Sequence, residues 1–349
     1  MARRPRDTSW PPAPEPLPHP VVDNHAHLDA VLAETDAAGW RPRGGPDSGP
    51  EGAPEGDPDR GPGTERDPDG DAGPGAVTGA TSSGRAVLGF ADHLERAAAA
   101  GVTRVVQIGC DLPAVAWTDA MLREHAVVGG VAIHPNEAVL HAGVREVAPD
   151  GLEPRPAPHH EVPLDEAVAR VAAVAAANDR IRVIGETGLD HFRAGERGRA
   201  VQREAFRAHI ALAKELDLVL QIHDRDAHDD VLAVLAADGA PRHTVMHCFS
   251  GDAAMARYCV EQGWYLSFAG SVTFGSAHEL RAALHEVPLG RLLLETDAPY
   301  LAPHPYRGRP NAPYEVAVTA RAVAHELGTD VAALCSAVWA TSDELYGPW

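Results

Sequence analysis

The sequence is poor in cysteine: Cys110, Cys248, Cys259 and Cys335 are scattered, with no C-x-x-C spacing. Four such residues in 349 cannot form a disulfide framework, so reduced, buried thiols are expected. No apolar run approaches the roughly 18 residues of a membrane helix, and the basic N-terminus M-A-R-R-P-R leads into prolines instead of a signal-type apolar stretch. The plain expectation is a cytoplasmic chain with no membrane contact. No strand is followed by Gly-x-Gly-x-x-Gly and a helix, which disfavours dinucleotide binding. Positive charge is also scarce. Lysine occurs once, at Lys214, and 30 Lys and Arg face 50 Asp and Glu, for a formal net charge of −20. Bulk attraction to nucleic acid or to an anionic membrane is therefore not expected, and any polyanionic substrate must rely on a local site.

What is present is an ordinary globular composition, 44% hydrophobic and 23% charged, with ample material for a large core. Two segments depart from it. Residues 1–20 carry many prolines and no periodicity, and read as a flexible lead-in. Residues 41–84 are rich in Gly, Pro and Asp and hold almost no large apolar side chain, so burial cannot offset the entropy of ordering them. They read as a disordered acidic insertion after the first strand, with an interaction tail as the alternative. The insertion holds nine acids against four bases and leaves a net charge of −15 elsewhere.

The remainder alternates short β-rich runs with Ala-rich amphipathic stretches. The runs are Val21 to Leu28, Thr103 to Gly109, Val127 to His134, Ile181 to Glu186, Leu218 to His223, Thr244 to His247, Trp264 to Phe268 and Arg291 to Thr296. Helical patterns between them include Asp92 to Val102, Leu164 to Ala177 and Gln202 to Leu216. Eight near-continuous apolar strands alternating with helices favour a (β/α)8 TIM-type barrel over a doubly wound sheet, with one domain spanning 21–349 around the insertion.

Barrel chemistry sits at the C-terminal ends of the strands. Those ends carry His25 and His27, then His134, Glu186, His223 and His247, and finally Glu295 with Asp297. An H-x-H pair alone arises by chance, and a single buried His or Glu is more often structural. Residues i and i+2 of a strand nevertheless share a face, so His25 and His27 can both enter the barrel mouth. A mixed imidazole and carboxylate set suits Zn²⁺, Mn²⁺, Co²⁺ or similar ions. The candidate ligands are His25, His27, Glu186, His223, His247 and Asp297. Six exceed one tetrahedral site and fit two ions sharing a carboxylate, for which Glu186 is the natural bridge. The chemistry implied is hydrolysis by an activated water, with Asp297 able to accept its proton.

The motifs D-N-H-A-H-L-D, I-G-E-T-G-L-D, I-H-D-R-D-A, H-C-F-S-G and L-L-L-E-T-D-A-P-Y-L-A-P occur in that order. With them the chain resembles the TatD family of metal-dependent deoxyribonucleases, in the amidohydrolase-like superfamily, from about Val21 to the C-terminus without 41–84. The resemblance implies a divalent-metal centre in a TIM-type barrel. It places His25, His27, Glu186 and Asp297 on one ion, and Glu186, His223 and His247 on the other. The ions would be Mg²⁺, Mn²⁺, Zn²⁺ or Co²⁺. It also implies DNA hydrolysis, often 3′ to 5′ on single strands or 3′ ends, or for some members D-aminoacyl-tRNA deacylation. Where the family often has an aromatic residue after G-L-D, this chain has His191.

Three further residues are candidate substrate contacts. Arg225 lies two residues beyond His223 and presents a guanidinium fork suited to phosphate, with pairing to an acidic neighbour as the alternative. Arg307, in P-Y-R-G-R-P-N-A-P, could meet phosphate or brace the eighth loop, and His134 could line the pocket or make a structural hydrogen bond. Cys248 is expected to turn away from the metals into packing. Hydrolases with a carbamoylated lysine at the end of the fourth strand are disfavoured, because Glu186 stands there and Lys214 falls in a helical pattern. The alternatives to a nuclease are ester or amide hydrolysis at a carbonyl, and a binding protein whose working surface is the insertion. No obligate protein partner is evident. Removal of residues 41–84 is expected to leave hydrolysis intact, and a deletion variant that is folded but inactive would overturn the reading of that segment as dispensable.

Overall fold

The computed structural model describes residues 9–36, 88–123 and 126–349, and the expected insertion at 41–84 lies outside the described residues. Eight strands form one all-parallel sheet in sequential order. They are β1 (Val21–Ala26), β2 (Val102–Gly109), β3 (Val127–Val131), β4 (Ile181–Asp190), β5 (Val219–Arg225), β6 (Thr244–Met246), β7 (Tyr265–Phe268) and β8 (Leu292–Leu294). The helices are α1 (Leu28–Asp36), α2 (Phe90–Ala99), α3 (Leu112–Met121), α4 (Pro135–His141), α5 (Leu164–Ala177), α6 (Glu196–Leu216), α7 (His228–Asp238), α8 (Ala253–Glu261), α9 (His278–Leu284), α10 (Val316–Glu326) and α11 (Val331–Tyr346). This is the expected (β/α)8 barrel. Among the described residues no helix is long and apolar enough to cross a membrane.

The barrel interior is filled by Val22, Val106, Val128, Val183, Val219, Val245, Tyr265 and Leu293, one from each strand, together with Ile108 as a second from β2, and Leu345 and Tyr346 of α11 pack against them. Burial of each such side chain contributes roughly 1.5–3 kcal/mol. This layer closes one end and leaves the polar residues to the other.

Closure between β8 and β1 does not use a regular ladder. One bridge, Ala26 to Ala298, joins the two chain ends. Backbone bonds from the Asp297 N–H to the His25 carbonyl and from the His27 N–H to the Ala298 carbonyl cross the seam, and side chains add to them: Asn24 Nδ2 donates to the Leu294 carbonyl at 2.9 Å, and Asp23 accepts from the Thr296 N–H at 2.9 Å and from its hydroxyl at 2.6 Å.

Several boundaries differ from the expected ones. Strand β4 continues past Glu186 to Asp190, because Thr187 to Asp190 pair with Ile222 to Arg225. Strand β3 stops at Val131, and His134 instead caps α4, with Pro135 opening the helix. Helix α6 begins at Glu196, six residues before the expected start. The lead-in also differs from residue 9 onward. Its prolines keep it irregular, but the Leu17 N–H donates to the Ala100 carbonyl, Arg321 donates to the carbonyls of Glu15 and Pro16, and Trp10 packs edge-on to His93.

His209 shows how a helix is fastened to the barrel. From α6 its Nδ1–H donates to the Ala205 carbonyl at 2.7 Å, and its Nε2 accepts the Ile133 N–H at 3.1 Å beyond β3. Burial pushes it down to about 4, so it is neutral in the fold. Between pH 6.5 and 4 the unfolded chain binds the proton that folded His209 refuses. Its stabilising contribution is thus complete above pH 6.5 and declines as pH falls toward 4. His209→Ala should cost about 2–4 kcal/mol in urea unfolding at pH 7, through the orphaned Ile133 N–H and the cavity. The variant should lose less stability than the parent between pH 6.5 and 4. Parallel pH profiles would refute this role.

Candidate metal centre

Glu186 is carried inward by an irregularity in its own strand. Val183 faces the interior, and strict alternation would send Gly185 and Thr187 after it. The register between β4 and β5 shifts between Ile184 and Thr187, and Glu186 turns to the axis. Gly185 and Gly188 on either side of it are glycines where β5 runs too close for side chains. A Cβ on Gly185 would stand 2.7 Å from that of Gln221, and one on Gly188, whose φ is +145°, would collide with the His223 carbonyl. Strand β1 does the same. A shift between Asp23 and Ala26 sends Ala26 to an outer apolar cluster with Val105 and hands the interior to His25 and His27. The i, i+2 expectation for this pair therefore holds, by way of a bulge.

The two oxygens of Glu186 face different imidazoles. Its Oε2 lies 3.7 Å from both His25 Nε2 and His27 Nε2, which are 3.3 Å apart and 3.8 and 3.5 Å from Asp297 Oδ1. Its Oε1 lies 2.6 Å from His223 Nδ1, 2.9 Å from His247 Nε2 and 3.6 Å from His134 Nε2. Asp297 follows β8 in the left-handed region at φ +54°, which Asp tolerates better than most residues, and its N–H donates to the His25 carbonyl. All six expected ligands are thus brought together and all are buried.

Hydrogen bonds at the far side of each ring decide which nitrogens point inward with a lone pair. His25 donates from Nδ1 to Gln221 Oε1 at 2.8 Å, His27 from Nδ1 to the Ile108 carbonyl at 3.0 Å, and His247 from Nδ1 to Glu295 Oε1 at 3.1 Å. In the neutral ring each such bond leaves the lone pair on Nε2, aimed toward Glu186, the orientation that metal-ligating histidines adopt. His134 is the reverse. Its Nδ1 accepts the Asn136 N–H at 3.0 Å, so its Nε2, which has no hydrogen-bond partner among the described residues, carries a proton. The donors His25, His27, His223, His247, Glu186 and Asp297 therefore fit divalent ions of the zinc or manganese kind. His134 fits a hydrogen-bond donor at their edge.

Burial alone would push Glu186 up, but His247, His134 and His223 hold it well below the usual carboxylate range. Burial likewise opposes charge on His27 and His247. The carboxylates of Asp297 and Glu186 outweigh it at His27, and those of Glu186 and Glu295 at His247, so both rings sit well above the usual imidazole range.

Two cavities open on the centre. One, of about 650 Å³, is lined by His223, His247, Arg225, Phe249 and Phe274. The other, of about 550 Å³, is lined by His27, His134, Cys110 and several carboxylates. Arg225 lines the first, its guanidinium stacked 4.1 Å over the Phe192 ring. Arg307 is exposed and stacks over Phe274 at the rim of that cavity. Cys248 corrects its expectation. With φ +43° it is half-buried and lines the same cavity.

Three contributors had no assigned role in the sequence. Glu295 orients His247, while Asp190 lies 3.4 Å from His223 Nε2 and is held by Asn136 Nδ2 at 2.8 Å. The thiol of Cys110 donates to Glu186 Oε2 at 3.3 Å. The E-T-D and G-L-D motifs signalled the first two; nothing distinguished Cys110. Lys214 lies on α6 and donates to the Asp238 carbonyl, away from the centre.

The sequence profile of the TatD-related DNase family matches residues 22–347. A metal-dependent hydrolase named TatD from Mycobacterium tuberculosis is 45% identical over 236 residues, 66% of this chain and 81% of that one. A protein named 3′-5′ ssDNA/RNA exonuclease TatD from Klebsiella pneumoniae is 35% identical over 225 residues, 63% of this chain and 76% of that one. Among solved structures, the TatD homologue YjjV of Escherichia coli superposes with a TM-score of 0.63 at 24% identity, covering 72% of this chain and 90% of that one, a likeness of fold. With the profile matched from one side of the barrel seam to the other, this chain belongs to the TatD-related DNase family.

Proposed function

We propose that this chain is a metal-dependent phosphodiesterase that shortens single-stranded nucleic acid from its 3′ end. The observation that carries the reading is the split of Glu186. One oxygen faces His25 and His27 with Asp297 nearby, and the other faces His223 and His247, a donor set for two ions sharing one carboxylate. Bound there, such ions would lower the pKa of a water and neutralise charge on the displaced phosphate.

The chain's own residues do the rest. Asp297 accepts the proton of the attacking water. His134, with its proton on Nε2, donates to a phosphate oxygen beside Glu186. Arg225 offers its guanidinium fork to the next phosphate, held in place by Phe192. Phe249 and Phe274 line the same cavity and give bases an aromatic face to stack on. The other cavity is lined by six carboxylates, among them Asp29, Asp111, Glu137 and Glu146, against two arginines, Arg155 and Arg193, and its net negative wall disfavours a polyanion. The strand therefore enters past Arg225. The name of the Klebsiella pneumoniae relative supports the same substrate and polarity.

With Mg²⁺, Mn²⁺ or Zn²⁺ supplied, a single strand labelled at its 5′ end should give a ladder of products shortened from the 3′ end. His247→Ala and Asp297→Ala should each reduce the rate by at least about 10³-fold. An intact strand beside release of amino acid from a D-aminoacyl ester would replace this reading with ester hydrolysis. Metal uptake supplies a second check. The carboxylates beside His27 and His247 hold both rings above their ordinary range, and a ring that carries the extra proton must lose it to ligate. Binding should therefore release protons, and apparent affinity should fall roughly tenfold per pH unit for each proton displaced. Calorimetry in buffers of different ionisation enthalpy measures this, and pH-independent binding would count against these ligands.

A further inference from the structure

We propose that Glu137, His141 and His159 form a separate binding site for a zinc-like cation, with His160 holding the carboxylate in place. Glu137 and His141 lie one turn apart on α4 and share a face. The 3₁₀ turn Pro158–Glu161 brings the adjacent pair His159 and His160 against that face. Both rings reach the same oxygen: His159 Nε2 is 3.1 Å and His160 Nε2 is 2.7 Å from Glu137 Oε2. One candidate ligand atom from each of the four residues lies within 4.8 Å of the others.

The tautomers assign the roles. His141 donates from Nδ1 to the Val162 carbonyl at 2.8 Å, so its Nε2 bears a lone pair. That nitrogen is buried and has no hydrogen-bond partner among the described residues, in a residue only 5% exposed. A buried imidazole lone pair facing other donor groups, with its ring braced from behind by a carbonyl, is the arrangement of a metal ligand. His160 is different. Its Nδ1 accepts the Ala157 N–H at 2.7 Å, so its proton is on Nε2 and points at Glu137. It orients the carboxylate and does not ligate. His159 needs only to carry its proton on Nδ1 to present Nε2. Two imidazole nitrogens and one carboxylate oxygen suit Zn²⁺, Co²⁺ or Ni²⁺ better than Mg²⁺ or Ca²⁺. The side chains of Glu137 and His159 are 25% and 19% exposed, which leaves an entry path and room for a water as fourth ligand.

The site shares no residue with the centre at the barrel mouth. It bears on that centre through α4, whose Asn136 holds Asp190 and whose cap is His134. A cation here would clip α4 to the turn at 158–161 across the intervening residues 142–157 and keep those contacts in register.

The test uses the full chain, stripped with chelator and titrated with Zn²⁺ alone, with bound zinc measured by mass spectrometry after desalting. His141→Ala and His159→Ala should each retain one equivalent fewer than the parent, and zinc should protect residues 142–157 from proteolysis in the parent but in neither variant. His27→Ala with His223→Ala should lose zinc at the barrel mouth and keep both the remaining equivalent and the protection. His159 is partly exposed, so its replacement remains informative if His141→Ala does not fold. Zinc-edge anomalous scattering from parent crystals should place a peak beside His141 Nε2. Equal stoichiometry in the parent and His159→Ala, or no peak at the cluster, overturns the proposal and leaves the phosphodiesterase reading untouched.

Discussion

A carboxylate with no exposure to water must have its charge answered from within, and at the axis of this barrel Glu186 is answered from both sides. Removal of one partner of a buried charge pair typically costs about 3–5 kcal/mol, so the histidines around it cannot drift independently. Their positions follow from that demand. Gly185 and Gly188 let β4 approach β5 closely enough for His223 to come within 2.6 Å, and the bulge in β1 turns His25 and His27 toward the other oxygen. The rings are in turn held from behind by Gln221, the Ile108 carbonyl and Glu295. The apolar layer beneath, drawn from every strand, gives these polar groups a rigid floor.

The alternation of apolar runs with Ala-rich stretches was enough to read the barrel, because parallel strands buried on both faces leave an unmistakable composition. The six donors were legible for a related reason: chemistry at the strand ends concentrates histidines and acids at regular intervals. The paths by which they arrive were not. A bulge such as that in β1 depends on the register of β2, which lies some 80 residues away, and single-strand periodicity does not report it. The far-side partners were hidden likewise. Glu295 reads as one more acid at the end of β8 until His247 is seen to donate to it, and Cys110 reads as a buried thiol until Glu186 is seen beside it. Proline content misled at residues 9–20, where irregular backbone is tied down by Arg321 and by the Ala100 carbonyl.

The two cavities also show why a net charge of −20 is a poor guide to a site. Charge is distributed unevenly around the mouth: six carboxylates against Arg155 and Arg193 line the His27 side, whereas Asp224 and Glu279 against Arg225, with aromatic rings beside it, line the His223 side. Net charge sums over the whole chain, whereas a ligand meets only the groups around one opening, so the two can differ.

The seam between β8 and β1 has a consequence for how the molecule is made. Asp23, Asn24 and His25 lie near the start of the chain, and the groups they bind, Thr296, Leu294 and Asp297, lie some 270 residues later. During synthesis the early strands leave the ribosome with their donors already in sequence order, but the circle stays open until the eighth strand follows. A chain cut short before Asp297 lacks both the clasp and the last donor. The cluster around Glu186 is therefore incomplete until the eighth strand has been made, and chains that stop before it carry the histidines without the Asp297 carboxylate beside them.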